Sequence, residues 1–376
     1  MKYCLKCLQP DTRPNSKFDE AGICPACQYF EEVRTIDWDE RYLILLDLVR
    51  EHRGKSDGGF DCIVGVSGGK DSTRQALYVR DKLKMNPLLV CLSYPPEQIT
   101  HTGTHNISNL IELGFDVLIS APASNNWKEL MRAGFLRFCN WCKSTELALF
   151  SAVPQMAIRY NIPIIFWGEN PGLQLGDQNT LGKTGYDGNN LRHMNTLQGG
   201  ELDWIFDTVN DRSLLIPYCY PDPVEFEQCN LQIVYLGWFL KDWSLVNNAM
   251  HSVTSGLGIR SDSVVNTGDF YGVTSLDEDW VTLNQMIKYY KYGFGRMTEY
   301  VNEEIRLNRI SRESAIRLVE KHDGVCAFEY IESFCKYIGV STEQFWDTVR
   351  ASVNAELFTI NDNGKICPNF TVGSGL

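Results

Sequence analysis

The hexapeptide Ser67-Gly68-Gly69-Lys70-Asp71-Ser72 has the side chains and the bare backbone that a polyphosphate needs. Its glycines let backbone N–H groups approach an anion, and Lys70 can neutralise phosphate oxygens. The loop follows an apolar run, Cys62-Ile63-Val64-Gly65-Val66, that reads as a strand, and it precedes a helical pattern over residues 73–83. The amino-terminal end of that helix adds partial positive charge where phosphate would sit. A Walker A loop is excluded, since it needs four residues between its glycines and Ser or Thr after the lysine. Here Gly65 and Gly69 enclose three residues, and Asp71 follows Lys70.

Cysteine spacing marks a second chemistry. Cys4-Leu5-Lys6-Cys7 and Cys24-Pro25-Ala26-Cys27 are two C-x-x-C knuckles, the pattern of a four-thiolate structural zinc site. Thirteen cysteines in a chain with no signal-peptide-like start argue for metal ligation or plain burial over disulfides. A third pair, Cys139-Asn140-Trp141-Cys142, either packs without metal or joins Cys219 or Cys229 in an iron–sulfur site; it is left outside the metal set.

The elements that must position these groups follow from periodicity. Residues 1–35 are expected to form the cysteine module, too short for a core of its own, so metal binding would supply its folding energy. Residues 36–59 read as a helix, strongest over 38–49, and a glycine-rich linker. Short apolar runs at 62–66, 88–93, 117–120 and 162–167 alternate with helical patterns, which predicts an α/β domain over 60–230 with a parallel sheet and helices on both faces. Residues 231–376 are aromatic and read as mostly helical. The Gly-, Asn- and Asp-rich stretch from Asn170 to about Gly200 suits a mobile loop over a site.

At the end of the fourth run, Glu169 in Trp167-Gly168-Glu169-Asn170-Pro171 lies at the sheet edge where open parallel sheets bind ligands. It either reaches a metal ion at the phosphate loop or is a solvated loop acid. A net charge of -12 opposes a large nucleic-acid footprint and favours small-molecule chemistry. No apolar run approaches the ~20 residues that cross a bilayer. A cytoplasmic protein with no membrane insertion is expected.

The hexapeptide resembles the S-G-G-x-D-S loop of PP-loop (ATP pyrophosphatase) enzymes, of the adenine nucleotide alpha hydrolase-like, HUP-type fold. That likeness implies cleavage of ATP between its α and β phosphates. Ser67, Gly68, Gly69 and Ser72 would hold pyrophosphate, Lys70 would stabilise charge in transfer, and Asp71 would help hold Mg²⁺. The chain as a whole is similar to the N-acetyl sugar amidotransferases of bacterial surface-polysaccharide synthesis. The likeness runs through the cysteine knuckles, the hexapeptide, Phe166-Trp167-Gly168-Glu169-Asn170-Pro171, Tyr235-Leu236-Gly237 and Lys291-Tyr292-Gly293-Phe294-Gly295-Arg296, and on to Ile310-Ser311-Arg312-Glu313 and Asp323-Gly324.

This resemblance implies an ATP-dependent, AMP-forming conversion of an acetamido group on a nucleotide-linked sugar, of the lipopolysaccharide or O-antigen type, into an acetamidino group. No glutaminase elbow surrounds any cysteine, so a separate glutaminase and an ammonia-channel subunit are implied as partners. Arg296 and Arg312 are expected to meet the sugar-nucleotide phosphates. The expected cofactors are ATP, Mg²⁺ and structural Zn²⁺. The alternatives are a tRNA sulfurtransferase of the same class and a non-catalytic nucleotide-binding protein.

Overall fold

The computed structural model describes every residue except 57–58, 175, 177–184, 190, 192–201 and 376. The greater part of the expected loop between Asn170 and Gly200 therefore lies outside the described residues.

Five parallel strands form the central sheet: β1 (Cys62–Val66), β2 (Pro87–Leu92), β3 (Val117–Ser120), β4 (Ile164–Trp167) and β5 (Gln232–Tyr235), in the spatial order β3-β2-β1-β4-β5. Four were legible as apolar runs. The fifth is not: Gln232–Tyr235 falls just past the expected boundary at 230, where the aromatic texture reads as helical. It pairs with β4 through Ile165 and Ile233. Its three buried residues, Ile233, Val234 and Tyr235, are those of a fully covered strand.

Numbering the helices of two turns or more, α1 (Pro25–Val33) and α2 (Trp38–His52) precede the sheet. Next come α3 (Lys70–Asp81), α4 (His101–Glu112), α5 (Ser124–Phe138) and α6 (Cys142–Arg159), which connect its strands. α7 (Leu245–Val253) follows β5. The carboxyl-terminal helices are α8 (Val281–Tyr292), α9 (Arg296–Arg306), α10 (Arg312–His322), α11 (Phe328–Ile338) and α12 (Thr342–Ala351), closed by an antiparallel hairpin of β6 (Phe358–Ile360) and β7 (Ile366–Pro368).

Alternation along each strand feeds two cores. Ile63, Val90 and Ile165 face α5 and α6, joined there by Trp280, Phe334 and Phe345 of the carboxyl-terminal region. Val64, Leu89 and Phe166 face α2 and α3. A third core unites the two ends of the chain, with Tyr3 and Leu8 packed against Met297, Val301, Phe358 and Phe370. The cysteine module thus leans on α9, where Leu8 N–H donates to Asn302 Oδ1 at 2.8 Å and Arg13 pairs with Glu299 at 2.6 Å. Its support is tertiary as well as metallic. No helix among the described residues is long and apolar enough to cross a membrane.

Between α4 and the segment that precedes α8, the two chains of backbone touch. Thr100 N–H donates to the Asp277 carbonyl at 3.0 Å, and a Cβ at Gly103 would stand 2.5 Å from Asp277 Cα. Backbone cannot swing aside as a side chain can, so the Gly103→Ala clash should outweigh the ~1 kcal/mol that alanine contributes to a helix. Thermal unfolding checks this: the variant should melt below wild type, and an equal or higher Tm would mean that the contact is not made.

Candidate functional site

The sheet's chain order reverses between β1 and β4, which opens a crevice at the carboxyl ends of those strands. The loop of residues 67–72 enters it from β1 and Gly168-Glu169 from β4. Gly68 takes φ +74, a left-handed conformation that costs glycine little, and a Cβ there would stand 3.0 Å from Asn106 Cβ. Helix α3 begins at Lys70 with Gly69 as its amino-terminal boundary and no side-chain cap, so its first N–H groups have no side chain to satisfy them.

The loop is braced from outside. Asn106 of α4 donates to the Gly68 carbonyl at 2.9 Å, and Ser252 of α7 donates to the Lys70 carbonyl at 2.6 Å. Lys70, only 8% exposed, pairs with Asp71 at 2.7 Å. Asn248 Nδ2 donates to the other Asp71 oxygen at 2.5 Å, and Asn248 Oδ1 accepts from Arg74 at 2.6 Å. The Asp71 carboxylate is therefore aimed by α7, a helix no motif pointed to.

Two cavities open over this loop. The first, about 230 Å³, runs from the loop along an apolar wall that includes Val90, Leu92, Leu149 and Val153, and is closed by residues 273–277. The second, about 370 Å³, is lined by Phe30, Trp243, Asn248, Tyr300, Glu303 and Arg306 among others. They share Lys70, Asp71, Phe150 and Glu169. Glu169 is half-buried, and burial together with the nearby Asp71 charge raises its carboxyl to about 7, against the opposing pull of Lys70. Its neighbour Glu146 is raised to about 7 mainly by burial. Asp71 and Glu169 carry carboxylate oxygens of the kind a hard divalent cation takes, with both Asp71 oxygens engaged here by Lys70 and Asn248.

The predicted arginines lie elsewhere. Arg296 is 6% exposed and donates to Ser275 Oγ at 2.9 Å, so it reaches the first cavity only through that residue. Arg312 donates to the carbonyls of Cys7 at 3.3 Å and Gly373 at 3.1 Å, tying the cysteine module to the chain's end. Arg306, the last residue of α9, is the arginine that lines the second cavity. Its position on the loop-facing side of α9 could have been read only with the helix packing known.

All four module cysteines are buried, and their sulfurs lie within 4.8 Å of one another. Four sulfurs at 2.3 Å from a tetrahedral ion stand about 3.8 Å apart, and Cys7 and Cys24 are 3.6 Å apart. Backbone N–H groups of Gln9 and Cys24 point at Cys7 Sγ (3.4 Å) and Cys4 Sγ (3.3 Å), which favours thiolates. The cluster fits zinc. Cys139 and Cys142 are buried at the junction of α5 and α6, and among the described residues neither Cys219 nor Cys229 joins them in a three-ligand cluster.

Residues 267–370 match the family of LPS biosynthesis protein WbpG-like, C-terminal domain. The match spans α8 to α12 and the closing hairpin. Of the motifs that carry the sugar-amidotransferase likeness, 291–296, 310–313 and 323–324 fall inside it, and the cysteine knuckles, the hexapeptide, 166–171 and 235–237 fall outside. This WbpG-like domain provides residues 273–277 of the first cavity and Glu299, Tyr300, Glu303, Arg306 and Leu307 of the second. No curated protein matches the sequence. Among solved structures, the U34-tRNA thiolase NcsA from Methanococcus maripaludis with its [4Fe-4S] cluster is similar at 14% identity over 90% of this chain and 95% of its own, with a TM-score of 0.30.

Two expected outcomes follow from this geometry. Metal analysis should find one zinc per chain, lost in Cys24→Ser together with a drop in Tm, while Cys139→Ser keeps it; a zinc-free wild type would refute the site. A carboxyl raised above its unfolded value burdens the fold once ionised. In the absence of Mg²⁺ and nucleotide, Glu169→Gln should therefore melt above wild type at pH 8, with the gap shrinking as pH falls through about 7 and gone below the unfolded value near 4.5. A gap independent of pH would remove this account of Glu169.

Proposed function

We propose that this chain is an ATP-dependent amidotransferase that converts an acetamido group of a sugar, nucleotide-linked and bound for surface polysaccharide, into an acetamidino group. The observation that carries the reading is the meeting of two cavities at Lys70, Asp71, Phe150 and Glu169. One has the bare loop and apolar wall suited to a nucleotide. The other has aromatic faces and hydrogen-bonding side chains suited to a sugar, under a roof that is in good part WbpG-like domain. Two substrates bound there present their reacting groups to the same lysine and carboxylates.

An amide oxygen is a very poor leaving group, and adenylation makes it a good one. The amide oxygen attacks the α-phosphorus, pyrophosphate departs, ammonia adds to the activated carbon, and AMP leaves with the former amide oxygen. Ser67, Gly68, Gly69, Ser72 and the amino-terminal end of α3 receive the departing pyrophosphate. Lys70 neutralises charge that develops between the α and β phosphates. Asp71, aimed by Asn248, and Glu169 hold Mg²⁺, which offsets phosphate charge when bound. Arg306 is placed to meet an anionic part of the sugar substrate. Ammonia comes from a separate glutaminase through a channel-forming partner, as the amidotransferase likeness implies.

The test is formation of AMP and amidine from a panel of acetamido sugars with ATP, Mg²⁺ and ammonium salt. Lys70→Ala and Asp71→Asn should each lower turnover at least about a hundredfold with little change in Tm. Near-normal turnover in either variant would dismiss the assignment, and vigorous use of glutamine by this chain alone would dismiss the separate partner.

A further inference from the structure

The first cavity holds four charged side chains, Lys70, Asp71, Glu169 and Asp277. Three of them act together: Lys70 is bonded to Asp71, and Glu169 feels the charge of both. The fourth has other partners. Tyr94 and Arg260 stand beside the Asp277 carboxylate and favour its ionised form, against the burial that raises it to about 6. Tyr94 lies two residues past the end of β2, whose Val90 and Leu92 form part of the cavity's apolar wall.

Sheet order places these ends. The phosphate loop leaves β1, Glu169 leaves β4 on one side of it, and β2 lies on the other. Adjacent strands are about 4.8 Å apart. The cavity that begins at the loop continues along the β2 side, so a nucleotide whose β and γ phosphates sit on the loop has room for its nucleoside only along that apolar wall. There it meets Val90, Leu92 and Leu276, and then Asp277. The Asp277 backbone is fixed by Thr100 and by the close approach at Gly103, so this carboxylate stands on a rigid support.

We propose that Asp277 reads the base of the nucleotide, accepting a hydrogen bond from the exocyclic amino group of adenine. The WbpG-like domain thereby selects ATP, a task the phosphate loop cannot perform because all nucleoside triphosphates share the same phosphates. An ionised carboxylate only accepts. Adenine turns an amino donor toward it, whereas hypoxanthine and guanine turn an oxo acceptor, and two facing acceptors in a desolvated site leave both unsatisfied. The inference rests on the first cavity being the nucleotide site.

Binding of ATP, ITP and 3′-deoxyATP, measured by calorimetry with Mg²⁺ and no sugar, tests it. Wild type should bind ATP at least about tenfold more tightly than ITP. In Asp277→Asn the side chain offers the base an amide N–H₂ in place of a carboxylate oxygen; ATP should weaken, ITP should tighten and the ratio should fall toward one. The 3′-deoxy compound should follow ATP in both proteins. A wild-type ratio near one, or no ATP binding, overturns the assignment whatever the variant does. An unchanged ratio in a folded Asp277→Asn also overturns it, as does a 3′-hydroxyl preference that vanishes in the variant, which would give Asp277 to the ribose. ATP-selective binding without amidine formation would instead dismiss the proposed reaction and leave Asp277 in place.

Discussion

A turn that is to hold phosphate must keep its N–H groups bare, and bare backbone next to a packed sheet is unstable unless its carbonyls and neighbours are held from elsewhere. The turn between β1 and α3 meets this constraint by borrowing. Asn106 takes the Gly68 carbonyl, Ser252 the Lys70 carbonyl, and Asn248 one oxygen of Asp71. Each lies on a helix remote in sequence. The carbonyls of Gly68, Gly69 and Lys70 are all engaged, Gly69 by Ser72 within the turn, and Ser67 N–H turns back to Ser72 Oγ at 3.5 Å.

The same constraint explains why the carboxyl-terminal region cannot be a detachable appendage. Residues 273–277 close one cavity, α9 lines the other, and α9 also carries the amino-terminal cysteine module through Asn302 and Glu299. Phe30 of that module lines the second cavity in turn. Both ends of the chain therefore shape one site, and the cysteine cluster steadies a cavity wall as well as its own short segment.

What could be read from the sequence divides along the same line. The phosphate loop, the four thiolates and four of five strands were legible because each is a local pattern: a bare turn, a knuckle spacing, an apolar run. Glu169 was legible because a strand end in a parallel sheet has a known use. β5 was missed because Gln232–Tyr235 is short and flanked by the aromatics of 236–243, which mask its period. Asn248, Arg306 and Asp277 carry no local signal, since their importance comes from which helix packs on which. Arg296 and Arg312 stood in recognisable motifs, yet one holds Ser275 and the other holds Cys7 and Gly373, contacts that only the packing reveals.

The central claim is that the amide oxygen itself is transferred to phosphorus at the junction of the two cavities. An acetamido sugar labelled with ¹⁸O in the amide carbonyl, turned over with ATP and ammonium salt, decides it by mass spectrometry of the products. The account predicts that the label appears in AMP, one atom per amidine formed, with none in pyrophosphate. Label retained in the sugar product, or found in pyrophosphate or water while AMP stays unlabelled, would contradict it.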